Sequence, residues 1–242
     1  GRNYAHFDKK ISLKTVWNYI SNSKNIISHS FFPFIYYVQK FEKFDSKETN
    51  KIKEKKRPIC YSSHMDRYIF SYYGFELNQE YNKRIVQDKI DDCVLAYRDN
   101  LEKQNNIHFA KRAFDFIKEQ ESCFVMIGDF THFFDNLEHK YLKDMLCSLL
   151  NVNKLPDDHY AVYKNITKFS KAYLTNLLKI NDFNEDSAKN IIELNKQDII
   201  LPLDKFRELK KNEKLIIEKN PHNYGIPQGS VLVQKCFLCN LR

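Results

Sequence analysis

The run Cys123-Phe124-Val125-Met126-Ile127-Gly128-Asp129-Phe130-Thr131-His132-Phe133-Phe134-Asp135-Asn136-Leu137 decides how the rest of the chain is read. Its opening is apolar and β-favouring, so residues 122–127 read as a short buried strand. Such a strand delivers Asp129 to its C-terminal end, where open sheets place functional groups. Asp135, with Glu138 three residues on, reads as a capping-box start for a helix through Leu150. Leu142, Met145, Leu146 and Leu149 form that helix's apolar face. A carboxylate at a strand end suits Mg²⁺, which takes oxygen ligands. The same residue type also caps helices from loops, so Asp129 alone leaves both readings open.

Further along stands Tyr224-Gly225-Ile226-Pro227-Gln228-Gly229-Ser230. The chain has five glycines, and Gly128, Gly225 and Gly229 all fall in these two stretches. Backbone freedom is concentrated there. A rigid Pro beside two Gly residues lets backbone and one amide side chain approach a ligand closely.

Working outward, 242 residues with 43% hydrophobic content supply a core for one large domain or two small ones. The net charge of +8 and pI near 9.0 have the sign a nucleic-acid partner requires. Richness in Lys, Asn, Ile, Tyr and Phe equally fits a low-GC coding bias. Between Lys40 and Arg57, eight Lys/Arg stand against four Asp/Glu, so this stretch carries half of the net excess. Six scattered cysteines (Cys60, Cys93, Cys123, Cys147, Cys236 and Cys239) form no secreted disulfide framework and imply buried thiols in a reducing cytoplasm. Cys236 and Cys239 make a lone Cys-x-x-Cys without the further ligands a structural zinc needs. There is no signal peptide and no apolar run near 18 residues, so no membrane span is expected. Gly1 in place of Met reads as either an added residue or an interior cut.

Ser12 is a plausible N-cap for a helix to Ile20 with Leu13, Val16, Trp17 and Ile20 on one face. The aromatic stretch 31–44 fits strand or helix, and 45–56 reads as a charged connection. Arg57 to Tyr61 reads as a short strand, with Pro58 suited to its start or edge. Helices are expected over 64–82, weakened by Gly74, and over 106–118, where Ile107, Ala110, Ala113, Phe114 and Ile117 share a face. A longer helix is expected over 158–178, through Val162, Ile166, Phe169, Tyr173, Leu174 and Leu177. The Lys-rich 179–222 reads as a helical insertion with mobile connections.

Phe-Val-Met-Ile-Gly-Asp-Phe-x-x-Phe-Phe-Asp resembles motif A of prokaryotic reverse transcriptases, and Gly-Ile-Pro-Gln-Gly resembles their motif B. Lys55-Lys56-Arg57-Pro58-Ile59, followed by Asp66-Arg67, is similar to the fingers segment of bacterial and group II intron enzymes. Ala96-Tyr97-Arg98 is similar to a segment ahead of their palm. The resemblance covers roughly residues 30–150 and 222–230, and its style is closest to bacterial defence-associated, abortive-infection-like enzymes.

The resemblance implies a helix-rich α+β fold: the fingers and partial palm of a right-hand polymerase, with a helical insertion between motifs A and B. Its divisions would be N-terminal helices and fingers over 1–120, the motif A strand and helix over 121–157, the insertion over 158–222, and motif B with the start of a helix over 223–242. It implies two-metal nucleotidyl transfer with Mg²⁺. Asp129 would be the catalytic, metal-binding aspartate, and the Phe130 carbonyl a second metal ligand. Phe134, five residues after Asp129, would be the bulky gate against a ribose 2′-hydroxyl. Phe133 and Phe134 are also natural core residues. Arg57 would grip the triphosphate as a planar bidentate cation, Gln228 and Gly229 would line the nucleotide pocket, and Lys55 and Lys56 would face nucleic acid. Partners would be an RNA template, a DNA or protein primer and a dNTP, in antiphage defence in the cytoplasm.

The pattern breaks after Gly229. The family's Tyr-x-Asp-Asp motif supplies further metal carboxylates, yet no Asp follows Asp204. Val231 to Arg242 stands where the family carries a small-residue helix; it reads either as an apolar helix or as the product of a shifted reading frame. The expectation is a piece inactive alone, its chemistry belonging to a longer parent. The alternative is a non-catalytic RNA-binding or protein-interaction module on a degenerate palm.

Overall fold

The computed structural model describes residues 4–44, 52–94, 104–183 and 186–229. Ala96-Tyr97-Arg98, Ser230 and the Cys236/Cys239 pair lie outside the described residues. The fold is α+β, helix-rich around one mixed sheet. The order is α1 (Leu13–Ile20), α2 (Ser23–Ile27), β1 (Phe34–Phe44), β2 (Ile52–Tyr61), α3 (His64–Gln87) and α4 (Asn106–Lys118), then α5 (Phe133–Asn136), α6 (His139–Leu150), α7 (Asp157–Thr167), β3 (Ser170–Tyr173), α8 (Leu174–Ile180), α9 (Ala188–Asn195), α10 (Leu203–Lys211) and β4 (Ile217–Lys219). Strands lie in the order β2-β1-β3-β4. β1 runs antiparallel to β2 and parallel to β3, and β3 runs antiparallel to β4.

Local chemistry starts the helices where expected. The Ser12 hydroxyl accepts from Thr15 N and caps α1, which buries Val16 and Ile20. Ser63 does the same for Asp66 N at α3. The Asp8 carboxylate adds to that helix start by accepting from His64 N at 2.9 Å and Met65 N at 2.8 Å, so the N-terminal segment is tied to α3. α3 runs past the expected end at 82 and seats Gly74 in the core.

β1 and β2 form a hairpin paired from Phe44↔Ile52 to Ile35↔Tyr61. It settles the ambiguous 31–44 as a strand and extends the expected 57–61 strand back to Ile52. Paired residues in an antiparallel ladder share a face. Ile35, Tyr37, Gln39 and Phe41 therefore lie with Tyr61, Ile59, Arg57 and Lys55, whereas Tyr36, Val38 and Lys40 lie with Cys60, Pro58 and Lys56.

Each face of the sheet has its own core. One holds Phe34, Cys60, Ile69, Phe70, Tyr73, Leu142, Leu146, Val162 and Ile166, closed by α1, α2, α3, α6 and α7. The other holds Phe7, Ile35, Ala172, Leu174, Leu177, Leu194, Leu201, Phe206 and Leu215.

Three expectations need correction. The helix expected over 158–178 is broken into α7, β3 and α8. Its helical spacing is genuine on either side, but Ser170–Tyr173 pairs with β1 and β4, a non-local gain that the pattern does not encode. The stretch 158–222 is accordingly not a helical addition: it supplies β3 and β4 to the sheet and most of the second core. Residues 123–130 form no strand, and Phe124, Met126 and Ile127 stand 87%, 83% and 92% exposed. The apolar pattern is strand-like, but no described strand pairs with it. α4 forms as expected, yet Ile107, Phe114 and Phe116 are also exposed.

Candidate functional site

The two glycine-bearing stretches meet. His132, in the left-handed region at φ 54, turns the chain into α5, and its carbonyl accepts from Asp135 N and Asn136 N. Ile226 N then donates to Phe134 O, Gly225 N to Leu137 O and His139 N to Asn223 O, each at 2.9 Å. Glu138 and Tyr224 form an antiparallel bridge between them. The buried His139 ring lies at the same junction, its Nε2 donating to Gly225 O at 2.8 Å. Burial lowers its pKa from the usual range, the Gly225 carbonyl opposing. The Asn220 amide donates to Thr167 O, Tyr224 O and Gly225 O, fixing the approach to the turn.

The turn also reaches the hairpin. Cys60 N donates to Gln228 O at 2.8 Å, on the free edge of β2. Gln228 Nε2 donates to Asp135 Oδ1 at 3.2 Å, so one residue links hairpin, turn and α5. Gly225 has φ 85, and a Cβ there would stand 3.1 Å from Asp135 O. Gly229 has φ 99, and its Cβ would stand 2.9 Å from Cys60 O, closer than real Cβ atoms come. Both glycines are thus required by conformation and by close approach.

Electrostatics bind the same groups. Burial pushes the Cys60 thiol up to about 12; Lys171 opposes this and Asp135 adds to it. The Tyr36 phenol is raised by burial and by the nearby Cys60, Asp135 and Glu218. Lys171 Nζ stands 4.8 Å from the Tyr36 ring centre and 3.5 Å from a Glu218 carboxylate oxygen. This polar group lies on the Tyr36–Cys60 face of the sheet.

Asp129 is exposed on the unpaired 123–130 segment and makes no hydrogen bond or ion pair with another described residue. Phe130 beside it is exposed. No group of three His, Cys, Asp or Glu able to hold a metal occurs among the described residues. Asp129 and the Phe130 carbonyl supply two oxygens. One carboxylate and one carbonyl are too few donors for a two-ion centre.

Phe133 and Phe134 both pack partly into the first core. Asp135 does not cap α6; Glu138 holds the N-cap position without a side-chain bond, and Asp135 instead meets Gln228 and His132. Arg57 is exposed with its guanidinium 5.5 Å from the Phe41 ring centre, while Lys56 faces away from it beside Glu54. Lys55 shares the Arg57 face. So Gln228 and Gly229 are joined to the hairpin and α5, and Phe134 to the turn through its carbonyl. Asp129, Phe130, Arg57, Lys55 and Lys56 are held to that junction by none of these bonds. The sequence marks Asp135 only as a helix cap and leaves His139, Asn220 and Lys171 unmarked, because nothing local marks a residue whose partner lies on another element. No family model matches the chain, and no curated protein matches it in sequence.

Proposed function

We propose that the chain carries the fingers and part of the palm of an RNA-directed DNA polymerase of the right-hand type, acting in antiphage defence in the cytoplasm. The observation that carries this reading is the convergence of three distant segments. The turn at Gly225–Gly229 is hydrogen-bonded both to the Phe134–Leu137 segment and to Cys60, three residues beyond Arg57. These are the segments whose sequences resemble motif B, motif A and the fingers. In the full reaction a primer hydroxyl oxygen bonds to the α-phosphorus of a dNTP and pyrophosphate leaves. Asp129 with the Phe130 carbonyl would hold Mg²⁺, which neutralises triphosphate charge when bound. Gln228 and Gly229 would border the nucleotide, Phe134 would limit room at the 2′ position, and Arg57, Lys55 and Lys56 would meet phosphates.

The test is retention of a primer annealed to RNA, with and without the next complementary dNTP and Mg²⁺. The pair together tightens the wild-type complex about tenfold, and Asp129→Asn removes that gain while leaving metal-free binding unchanged. Binding that falls steeply with salt and ignores dNTP and Mg²⁺ in both proteins would overturn the polymerase reading. It would favour a non-catalytic RNA-binding module, the reading to which the solitary Asp129 carboxylate otherwise lends weight.

A further inference from the structure

The opposite face of the sheet carries a cavity of about 500 Å³ that meets the proposed site only at Cys60 and Gly229. Its described walls come from the hairpin (Tyr37, Gln39, Ile59, Tyr61), from the N-terminal segment (Tyr4), from the start of α8 (Leu174) and from α9 (Ile191, Asn195), with Gly229 at one side. The volume falls in the range of small-ligand sites.

Its chemistry is specific. Three tyrosines and three aliphatic residues give flat, apolar walls. Tyr4 and Tyr37 each meet the Tyr61 ring edge-on, at 5.1 and 6.0 Å between centres. Among these walls sit two carboxamides. The Gln39 side chain makes no hydrogen bond to another described residue. Asn195 uses Oδ1 to accept from Ala5 N at 3.0 Å, which leaves its Nδ2 as a donor. The Tyr37 and Tyr61 hydroxyls add groups that both donate and accept. Beyond the cavity on the same sheet face come Arg57, paired with Gln39, and then Lys55, paired with Phe41.

A ligand matching this arrangement has an apolar flat ring, an edge of mixed donors and acceptors, and a negative charge a short distance away. We infer that this cavity binds a nucleobase, with Arg57 and Lys55 placed for its phosphate. The base comes either from a mononucleotide or from an unstacked single strand. Base-on-aromatic contacts tolerate any base, because every base has a π-face, and carboxamides then grade the edges. The inference shares Arg57 and Lys55 with the polymerase reading but does not rest on it: it needs no metal and no Asp129, and the N-terminal segment, α8 and α9 fall outside the stretches that carry the resemblance.

The experiment measures binding of the four nucleoside monophosphates and of a short single-stranded RNA to the 242-residue chain without divalent metal. Ile191→Trp, which fills the cavity, abolishes binding. Gln39→Ala, at an exposed position that holds no internal bond, weakens it about tenfold. Arg57→Ala weakens the monophosphate but leaves the free nucleoside unchanged, and Asp129→Asn changes nothing. Unfolding midpoints of all variants are recorded, so that a folding defect is not read as lost binding. Saturation by monophosphates identifies a mononucleotide site, and saturation by RNA alone identifies an unstacked base; either supports the inference. Absence of both, equal binding by folded Ile191→Trp and Gln39→Ala, or loss of binding in Asp129→Asn would overturn it. Those outcomes leave the Mg²⁺-dependent test of Asp129 standing, so the two proposals fail separately.

Discussion

Gly128, Gly225 and Gly229 have similar standing in the sequence and very different physical roles. A Cβ on Gly229 would run into the Cys60 carbonyl, whose own amide holds Gln228 O. A Cβ on Gly225 would press on the Asp135 carbonyl, and both residues also sit at positive φ. Gly128 has nothing within 4 Å of its added Cβ and no unusual φ. Gly229→Ala and Gly225→Ala should therefore each destabilise the protein by about 1–3 kcal/mol. Gly128→Ala should stay within about 0.5 kcal/mol of wild type. Urea denaturation of the three variants decides it, and a Gly128→Ala loss as large as the others would show that the 123–130 segment is packed. Asp66 carries a similar distinction between resemblance and role. It resembles part of a fingers motif, yet it is 1% exposed and accepts from His29 Nε2 and Phe32 N, so its work in the fold is to hold the start of β1 against α3.

Among the elements, those whose stability is local were legible. α1 begins at its serine cap and α4 spans the residues its periodicity gives, because capping and i, i+3, i+4 spacing are written in neighbouring positions. The β1–β2 hairpin was half legible: Pro58 and the β-favouring Ile59 and Tyr61 marked one strand, while aromatic crowding hid the other. β3 was not legible. Phe169, Tyr173, Leu174 and Leu177 satisfy a helical period, and the pairing of Phe34–Tyr36 with Lys171–Tyr173 overrides it from far away in sequence. At the candidate site the same limit applies: Gln228 and Gly229 could be read from the turn chemistry, but Asp135 and His139 act through partners roughly ninety residues distant. The 123–130 segment shows the opposite failure, a strand-like pattern that earns no pairing among the described residues. Its side chains contribute little burial, so Ile127→Lys should change the unfolding free energy by no more than about 0.5 kcal/mol. It should also raise solubility by breaking an exposed apolar run. Ile166→Ala, at a fully buried position, should cost about 2–5 kcal/mol in the same assay. Equal losses from the two would mean that residues 123–130 are buried in solution.

At the scale of the whole molecule, buried histidines set the response to acid. His6 is fully buried, with Nδ1 accepting from Phe7 N and Nε2 facing Tyr61 O. Burial lowers its pKa to about 3, the Tyr61 carbonyl opposing and His64 adding to the shift. His64 and His139 are also lowered, in each case first by burial. A histidine with a depressed folded pKa is neutral when folded but takes up a proton near pH 6.5 when unfolded. Its contribution is complete above pH 6.5 and is lost as pH falls from there towards the folded pKa. Asp66 works in the other direction: burial raises its pKa, against the hydrogen bonds from His29, Ser63 and Phe32, so the folded chain gains by protonating it. His6 alone gives a slope of about 1.4 kcal/mol per pH unit once its unfolded form is charged. His6→Gln removes the proton uptake while keeping an acceptor for Phe7 N and a donor for Tyr61 O. Urea unfolding at pH 7.0, 6.0 and 5.0 should therefore show the variant less stable at pH 7 but with a shallower fall towards pH 5, by close to one proton. A variant slope equal to the wild type's would mean that His6 is already protonated or solvated in the folded chain. Its bonds to Phe7 and Tyr61 would then not be what joins the N-terminal segment to the sheet.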